Sequence, residues 1–460
     1  MAKVSNSGFK NILVSFYNLT CGIKKKEWPS VVGLALFFFL TIAVFWVLKP
    51  LKRGLLVSHY QNNPLELFNI TLYGAEVEQF GKVLNMFVAF ILVLVFVWLY
   101  RKLTRQWLIT TIASFFALMF VVFAFVVETS PEAPFAIWTF YIFGDMYNTM
   151  LVTLFWAFTN DVFTAKRAKS AYGIIGLGGI LGGIFGATIV TTLVQNVGRS
   201  TLLISSVIPM LLIIGISIYV NRRERSIRET QSPDKQDQSN SVWEGARLVF
   251  RSKYLLSIAA IIAIYELVSN IVDFQLSAAI AMSVNSGLET DAYFGMVGMV
   301  TNISSIIVQM FITVTVMKRF GVGIALLFLP LAILVGSLGF LIIPGLLFAT
   351  IMSASDNSLN YSIQQSAKEA LYTPTSRDVK YKAKAFIDMF VQRGAKAVSV
   401  FLNIGLAITF GIHNVHWLSL LVLALIIIWA LLVRYTGRKF NDLEEKENSN
   451  ENTKSAPEAC

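Results

Sequence analysis

"SVVGLALFFFLTIAVFWVLKPLKRGLLV", residues 30–57, decides what kind of protein this is. From Ser30 to Leu48 there is no charge. A helix of that length covers most of the roughly 30 Å of a bilayer's hydrocarbon core, at about 1.5 Å per residue. A core helix of a soluble domain would show a polar stripe at helical spacing, and this stretch shows none. Lys49, Lys52 and Arg53 then arrive together around Pro50. The spacing predicts a span over about 30–49 that ends in this cluster. Such cations either snorkel to the headgroups along their aliphatic stems or touch something negative.

The rest of the chain has the same character. Of its 460 residues 55% are hydrophobic and only 14% charged, against about a quarter charged in a soluble domain. The expected fold class is therefore all-α, a polytopic membrane protein. Apolar stretches at about 30–49, 83–100, 106–127, 134–158, 171–194, 201–220, 254–282, 292–316, 321–342, 345–365, 386–411 and 416–433 give twelve candidate spans. With the N-terminus inside, the even connections are cytoplasmic. They are the basic ones: "YRKLTRQ", "TAKRAKS", "NRRERSIRE" through "RSKY", "MKRF" and "KEALYTPTSRDVKYKAKAF". Connections such as "VETSPEAP", "NSGLETD" and "GIHNVH" hold no Lys or Arg. This alternation is the positive-inside pattern. It places both termini in the cytoplasm and makes the chain multi-pass.

Residues 1–29 form a basic arm without the apolar core or small-residue site of a cleaved signal. Residues 221–253, opening with the polar "NRRERSIRETQSPDKQDQSNSV", read as a cytoplasmic linker. The linker divides the spans into two six-helix halves, 30–220 and 254–434, and the charged segment 435–460 reads as a disordered tail. Six plus six with a basic Ala-Lys segment at equivalent places ("TAKRAKSAYGIIG" and "VKYKAKAFIDMFV") is major-facilitator-like. Cys21 and Cys460 are too few and too far apart for a disulfide framework. The glycines of "GIIGLGGILGGIFGA" follow no strand, so they read as close helix packing and not as a phosphate loop. His413 and His416 make no credible metal site. No nucleophile and base are paired for catalysis, and neither a cofactor nor nucleic acid is implied.

Charge inside a span costs about 2.5–3.5 kcal/mol on insertion scales, so each such residue needs a partner, a wet cavity or a function. The candidates are Lys49, Lys52 and Arg53 in span 1; Asp145, Tyr147 and Asn148 in span 4; Glu266, Asn270 and Asp273 in span 7; and Asp356 in span 10. Asp388, Arg393 and Lys396 lie in span 11. Glu266 and Asp273 are seven apart and share a helix face.

These segments carry a resemblance. "VLKPLKRGLLV", "GDMYNTMLVTLFWAFTND", "AKSAYGIIGLGG", "SKYLLSIAAIIAIYELVSNIVDF" and "YTPTSRDVKYKAKAFIDMFVQRGAK" resemble, in order and spacing, the nucleotide transporter family of plastids and obligate intracellular bacteria, the ATP/ADP translocases. On that likeness Lys52 matches a functional lysine, Lys396 (or Lys384) matches another, and Asp145 and Asp273 stand where the family has Glu. Arg53-Gly54 departs from the translocases, which carry an acid there, and the "LKPL" signature is similar to divergent bacterial relatives. The resemblance implies spans 1, 4, 7 and 10 around a central cavity.

It further implies nucleotide exchange, most simply ATP/ADP antiport by alternating access, with a nucleotide and the bilayer as partners. The implied setting is a bacterial inner membrane, and the implied state a monomer. Lys49, Lys52 and Arg53 from one half, with Arg393 and Lys396 from the other, would clamp phosphates, and Asp145 and Asp273 would hold those cations when the site is empty. A proton-coupled symporter of another anionic solute, or a structural or lipid-handling membrane protein, are the competing readings. The topology yields the first prediction. A cysteine placed in "VETSPEAP" will react with an impermeant thiol reagent added outside intact cells, and one placed in 230–240 will not; the reverse labelling overturns the map.

Overall fold

The computed structural model describes residues 26–67, 70–162, 165–228, 242–375 and 382–454. Most of the N-terminal arm, both cysteines and the centre of the linker lie outside these residues. Nearly everything described is helix. The exception is a two-stranded ladder, β1 (Leu65–Leu67) with β2 (Ile70–Leu72). Among the described residues seven helices, or eight counting one bent pair, are long and apolar enough to cross a membrane.

The helices fall into two compact units. One comprises residues 1–65, 80–234 and 284–302; the other 66–79, 235–283 and 303–460. This division assigns 66–79 and 284–302 differently from a cut at the linker.

In the first unit, α1 (Trp28–Asn62) runs on well past the cluster that the sequence placed at its end. Pro50 does not terminate it. Its 35 residues make a rod of about 50 Å, longer than the hydrocarbon core. It packs against α4 (Pro134–Val162), α5 (Ala165–Ser205) and α6 (Val207–Arg228). α2 (Gly74–Lys102) turns Phe87, Phe90, Ile91, Leu94 and Trp98 outward, an apolar surface suited to lipid and not to water. α3 (Arg105–Thr129) packs on α4 through Phe116, Phe120, Phe123, Phe140 and Phe143. The stretch 171–224 is one apolar helical run long enough for two crossings. It breaks at Gly198, where φ 78° and ψ 168° are open only to glycine.

The glycine run of span 5 has a specific use. Gly178, Gly182 and Gly186 recur every fourth residue, on one face of α5. A Cβ on each would strike the backbone carbonyl of Ala35, Phe39 and Ala43, also four apart on α1. The two helices run parallel with backbone against backbone, as small residues permit in membranes.

In the second unit, α8 (Lys253–Ser283) occupies the place that α1 has in the first; these are the most buried of the membrane-length helices, at 67% and 56%. It is preceded by a short α7 (Val242–Arg251). It packs against α12 (Leu346–Leu359), α15 (Gln392–Phe410) and α16 (Leu418–Lys454). α9 (Gly287–Ile307), which belongs to the first unit as far as Asn302, passes through a wide turn, Val308–Thr313, into α10 (Val314–Ala325), which breaks at Gly321 and bends into α11 (Phe328–Ile342). Two more wide turns follow, Asn360–Gln364 before α13 (Gln365–Ala370) and Ile387–Val391 after α14 (Lys384–Phe386). α16 continues to Lys454, so the tail expected to be disordered is helical as far as that residue. The linker is likewise shortened from both sides, by α6 reaching Arg228 and by α7.

The glycine seam yields a stability prediction. Gly182→Leu drives a side chain into the Phe39 carbonyl, and overpacking costs about 1–3 kcal/mol or more where backbone cannot yield. Gly176 has open space around it, so Gly176→Ala should hold the wild-type unfolding temperature in detergent while Gly182→Leu loses several degrees or fails to fold. Equal unfolding temperatures would refute the close seam.

Candidate functional site

The three cations of α1, adjacent in sequence, enter three different surroundings. Lys52 is 5% exposed and its Nζ lies 2.5 Å from Asp145 Oδ1 on α4. The same ammonium sits 4.4 Å from the centre of the Tyr141 ring, one turn earlier on α4. Gly144 is pressed against the aliphatic stem of Lys52, where a Cβ would clash. From α2, Asn85 Nδ2 donates to Asp145 Oδ2, and Gly81 one turn before it makes room for Tyr141. Two pairs spaced by four residues, Gly81/Asn85 and Tyr141/Asp145, thus face each other and form a socket for one ammonium. Such a cation–π contact is worth about 0.5–2 kcal/mol, depending on desolvation.

Lys49 is half-buried with its Nζ 4.6 Å from the Trp46 ring. Arg53, 8% exposed, has its guanidinium carbon 4.5 Å from the centre of the Phe294 ring of α9. Beside it Gly54 presses on Asp291, which is fully buried and takes a two-pronged bond from Arg199, at 2.5 Å from Nε and 3.2 Å from Nη2. Arg199 Nη2 also donates to the Gly287 carbonyl at 2.8 Å. Burial of Lys52 and Arg53 among these partners does not fit snorkelling to headgroups.

Of the other candidates on α4, Asn148 is half-buried on the Tyr141/Asp145 face. Tyr147 points elsewhere. It is fully buried, its hydroxyl donates to the Thr41 carbonyl at 3.1 Å, and its ring packs on Phe116 and Phe120. It is a packing residue, because helical spacing rotates it well away from Asp145.

In the second unit Glu266 and Asp356 are held by neutral donors. Gln392 Nε2 donates to Glu266 Oε1 at 2.6 Å. Ser269 donates to Asp356 Oδ2 at 2.6 Å, and Asp356 Oδ1 has no hydrogen-bond partner among the described residues although Asp356 is 1% exposed. Asn270 donates to the Glu266 carbonyl one turn back, and its own carbonyl accepts from Asn403 at 3.1 Å, a helix-joining role. Asp273 is half-buried on the Glu266 side of α8. Arg393 and Lys396 are exposed and make no ion pair among the described residues. Their expected meeting with an acid of α8 is therefore not seen. The wide turn Ile387–Val391 inserts an extra residue before them, and Gln392 is the side chain turned to Glu266.

Comparison with known proteins assigns the chain. A sequence profile described as TLC ATP/ADP transporter matches residues 6–133, 129–353 and 345–440. The chain belongs to the TLC ATP/ADP transporter family. It is 24% identical over 488 residues to "ADP,ATP carrier protein 2, chloroplastic" of Arabidopsis thaliana, across 93% of this chain and 77% of that one. It is 24% identical over 451 residues to "ADP,ATP carrier protein 3" of Rickettsia felis, across 83% and 87%. At these identities it is a divergent member. Among solved structures, the nucleoside transporter NupG aligns with a TM-score of 0.60 at 13% identity, covering 88% of this chain and 99% of that one. The POT family transporter PepTSo aligns at 0.59 and 12%, covering 89% and 98%. These neighbours share the nearly all-helical transporter fold.

Asn85, Tyr141, Gly144, Arg199 and Asp291 were not singled out in the sequence. Tyr141 and Asp145 at a spacing of four were the available signal; nothing in the sequence joins Arg199 to Asp291. For this family member the socket predicts strong coupling in a double-mutant cycle. Asp145→Leu leaves the Lys52 ammonium unpaired, which costs about 3–5 kcal/mol where a pair is fully buried. The cost is smaller here because Asp145 is 36% exposed. Adding Lys52→Met should recover most of the lost stability in chemical denaturation. Additive losses would show that the pair is not coupled.

Proposed function

We propose that this protein exchanges nucleotides across a bacterial inner membrane, most simply ATP against ADP, by alternating access. The observation that carries this reading is the Lys52 socket. It holds one ammonium inside a membrane-length helix, opposite a carboxylate that is 36% exposed. A pair with one open side can release its cation to a competing anion. Nucleotide phosphates bear several negative charges, and Lys binds them as a compact point charge. The family assignment and the carriers of Arabidopsis and Rickettsia support the same reading.

The site residues proposed for phosphate are Lys52 first, with Lys49, Arg53, Arg393 and Lys396 as further cations. Asp145 holds Lys52 when no nucleotide is bound. Asn148, Glu266, Asn270, Asp273 and Asp356 contribute polarity along the path, and Tyr147 supports α4 from behind. The chain is read as a twelve-span monomer in two six-helix halves with both ends in the cytoplasm, and as a carrier without catalytic activity. Breaks at Gly198, Gly321 and Gly411, each with φ near 80°, support separate spans on either side of them.

The test is uptake of labelled ATP into cells or vesicles holding the full chain, with and without preloaded ADP. Preloading should accelerate uptake. Lys52→Ala should lower it by more than tenfold while the protein still reaches the membrane. Lys52→Arg should rescue only part, because a planar fork fits poorly in a socket closed by Gly144 and Tyr141. Full transport in the alanine variant would overturn the assignment of Lys52, and indifference to preloading would overturn exchange.

A further inference from the structure

The short helix α7 lies immediately before the apolar α8, separated from it by Ser252 alone. Its sequence, "VWEGARLVFR", is sharply two-sided. On one side Gly245 and Val249, four apart, are buried. Gly245 is pressed on the Lys382 carbonyl, and Lys382 Nζ pairs with Glu244 at 2.6 Å. The Phe250 and Phe386 ring centres are 6.4 Å apart. The helix is thus pinned to the segment that leads into α14.

Away from Gly245 and Val249 stand Arg247, Phe250 and Arg251, at positions i, i+3 and i+4 and so on one face, with Phe250 at its edge toward Phe386. Both arginines are exposed, as is Lys253 just beyond, and none of the three pairs with a carboxylate among the described residues. Phe250 is 71% exposed between the two guanidiniums. An aromatic ring flanked by unpaired cations is poorly placed in water. It is well placed at the level where acyl chains meet phosphates. The place of α7 near the membrane surface follows from the chain, because only Ser252 separates it from the membrane-length α8.

We propose that the Arg247–Phe250–Arg251 face of α7 binds anionic phospholipid headgroups, the guanidiniums on the phosphates and the ring at the acyl boundary. This rests on the membrane-spanning reading of α8 and is independent of what the protein transports. Each cation near an anionic surface is worth roughly a fivefold change in partitioning.

The experiment uses the full chain with Cys21→Ser, Cys460→Ser and Phe250→Cys, spin-labelled at the new cysteine. It is reconstituted in phosphatidylcholine vesicles with or without phosphatidylglycerol. Collision with oxygen and with a water-soluble nickel chelate reports the depth of the label. With phosphatidylglycerol the label should meet oxygen and avoid nickel. Arg247→Gln with Arg251→Gln should lower the embedded-to-free ratio by roughly 25-fold.

A label in water in phosphatidylglycerol vesicles would overturn the proposal. So would one equally embedded without the anionic lipid and indifferent to the two glutamines. A label shielded from both reagents would mean that protein covers the face, and would overturn it too. A second label, at Leu94→Cys on the outward side of α2, should read acyl core in both vesicles. Its failure would reject the membrane reading itself, and the proposal with it.

Discussion

An ammonium inside a spanning helix must be given a partner, and the first unit is arranged around that requirement. Lys52 draws α4 to α1 through Asp145, and α4 in turn draws α2 through Asn85 and Tyr141. The approach needs small residues wherever a side chain would intrude, which is where Gly81 and Gly144 stand. On another face of α1 the glycine seam with α5 brings backbone against backbone. α1 is therefore enclosed by charge on one side and by close packing on another, and its three cations cannot be read as one patch.

The second unit meets the same cost differently. Glu266 and Asp356 are held by an amide and a hydroxyl, with no Lys or Arg in ion-pair contact among the described residues. Neutral donors stabilise a carboxylate less than a cation does. Asp356 retains a buried oxygen with no donor. Wide turns at Asn360–Gln364 and Ile387–Val391 lie beside these acids. Such turns cluster where a helix must aim side chains away from its regular spiral.

Much of this was legible in the sequence, and the physics says which part. Uninterrupted apolar runs mark membrane helices because lipid leaves no polar face to find. The glycine run that holds Gly178, Gly182 and Gly186 read as close packing because it follows no strand and lies inside an apolar span. Lys52 and Asp145 stood out because charge in a span is costly. The end of α1 was misplaced because a cluster of cations usually marks the end of a span, whereas Lys49, Lys52 and Arg53 lie well inside this helix. Tyr147 was grouped with Asp145 by nearness in sequence, although two residues along a helix point to different sides. Arg393 was offered as a partner for acid, but the wide turn before it changes which side chain faces α8. A one-residue irregularity of that kind leaves no compositional trace. The Arg199–Asp291 pair was invisible because both residues flank short connections between apolar stretches, where charge is ordinary.

The socket also sets an order of events during synthesis. α1 is made before α4 and already carries Lys49, Lys52 and Arg53, while Asp145 is translated about ninety residues later. At roughly 5–20 residues per second that interval is on the order of ten seconds. Gly178, Gly182 and Gly186, against which α1 comes to rest, emerge later still. For that time the nascent helix holds a cationic segment with neither its counter-charge nor its packing partner. A helix made before its partners is therefore secured only after them, and its early retention falls to the insertion machinery and to the basic residues Lys24, Lys25 and Lys26 that precede it.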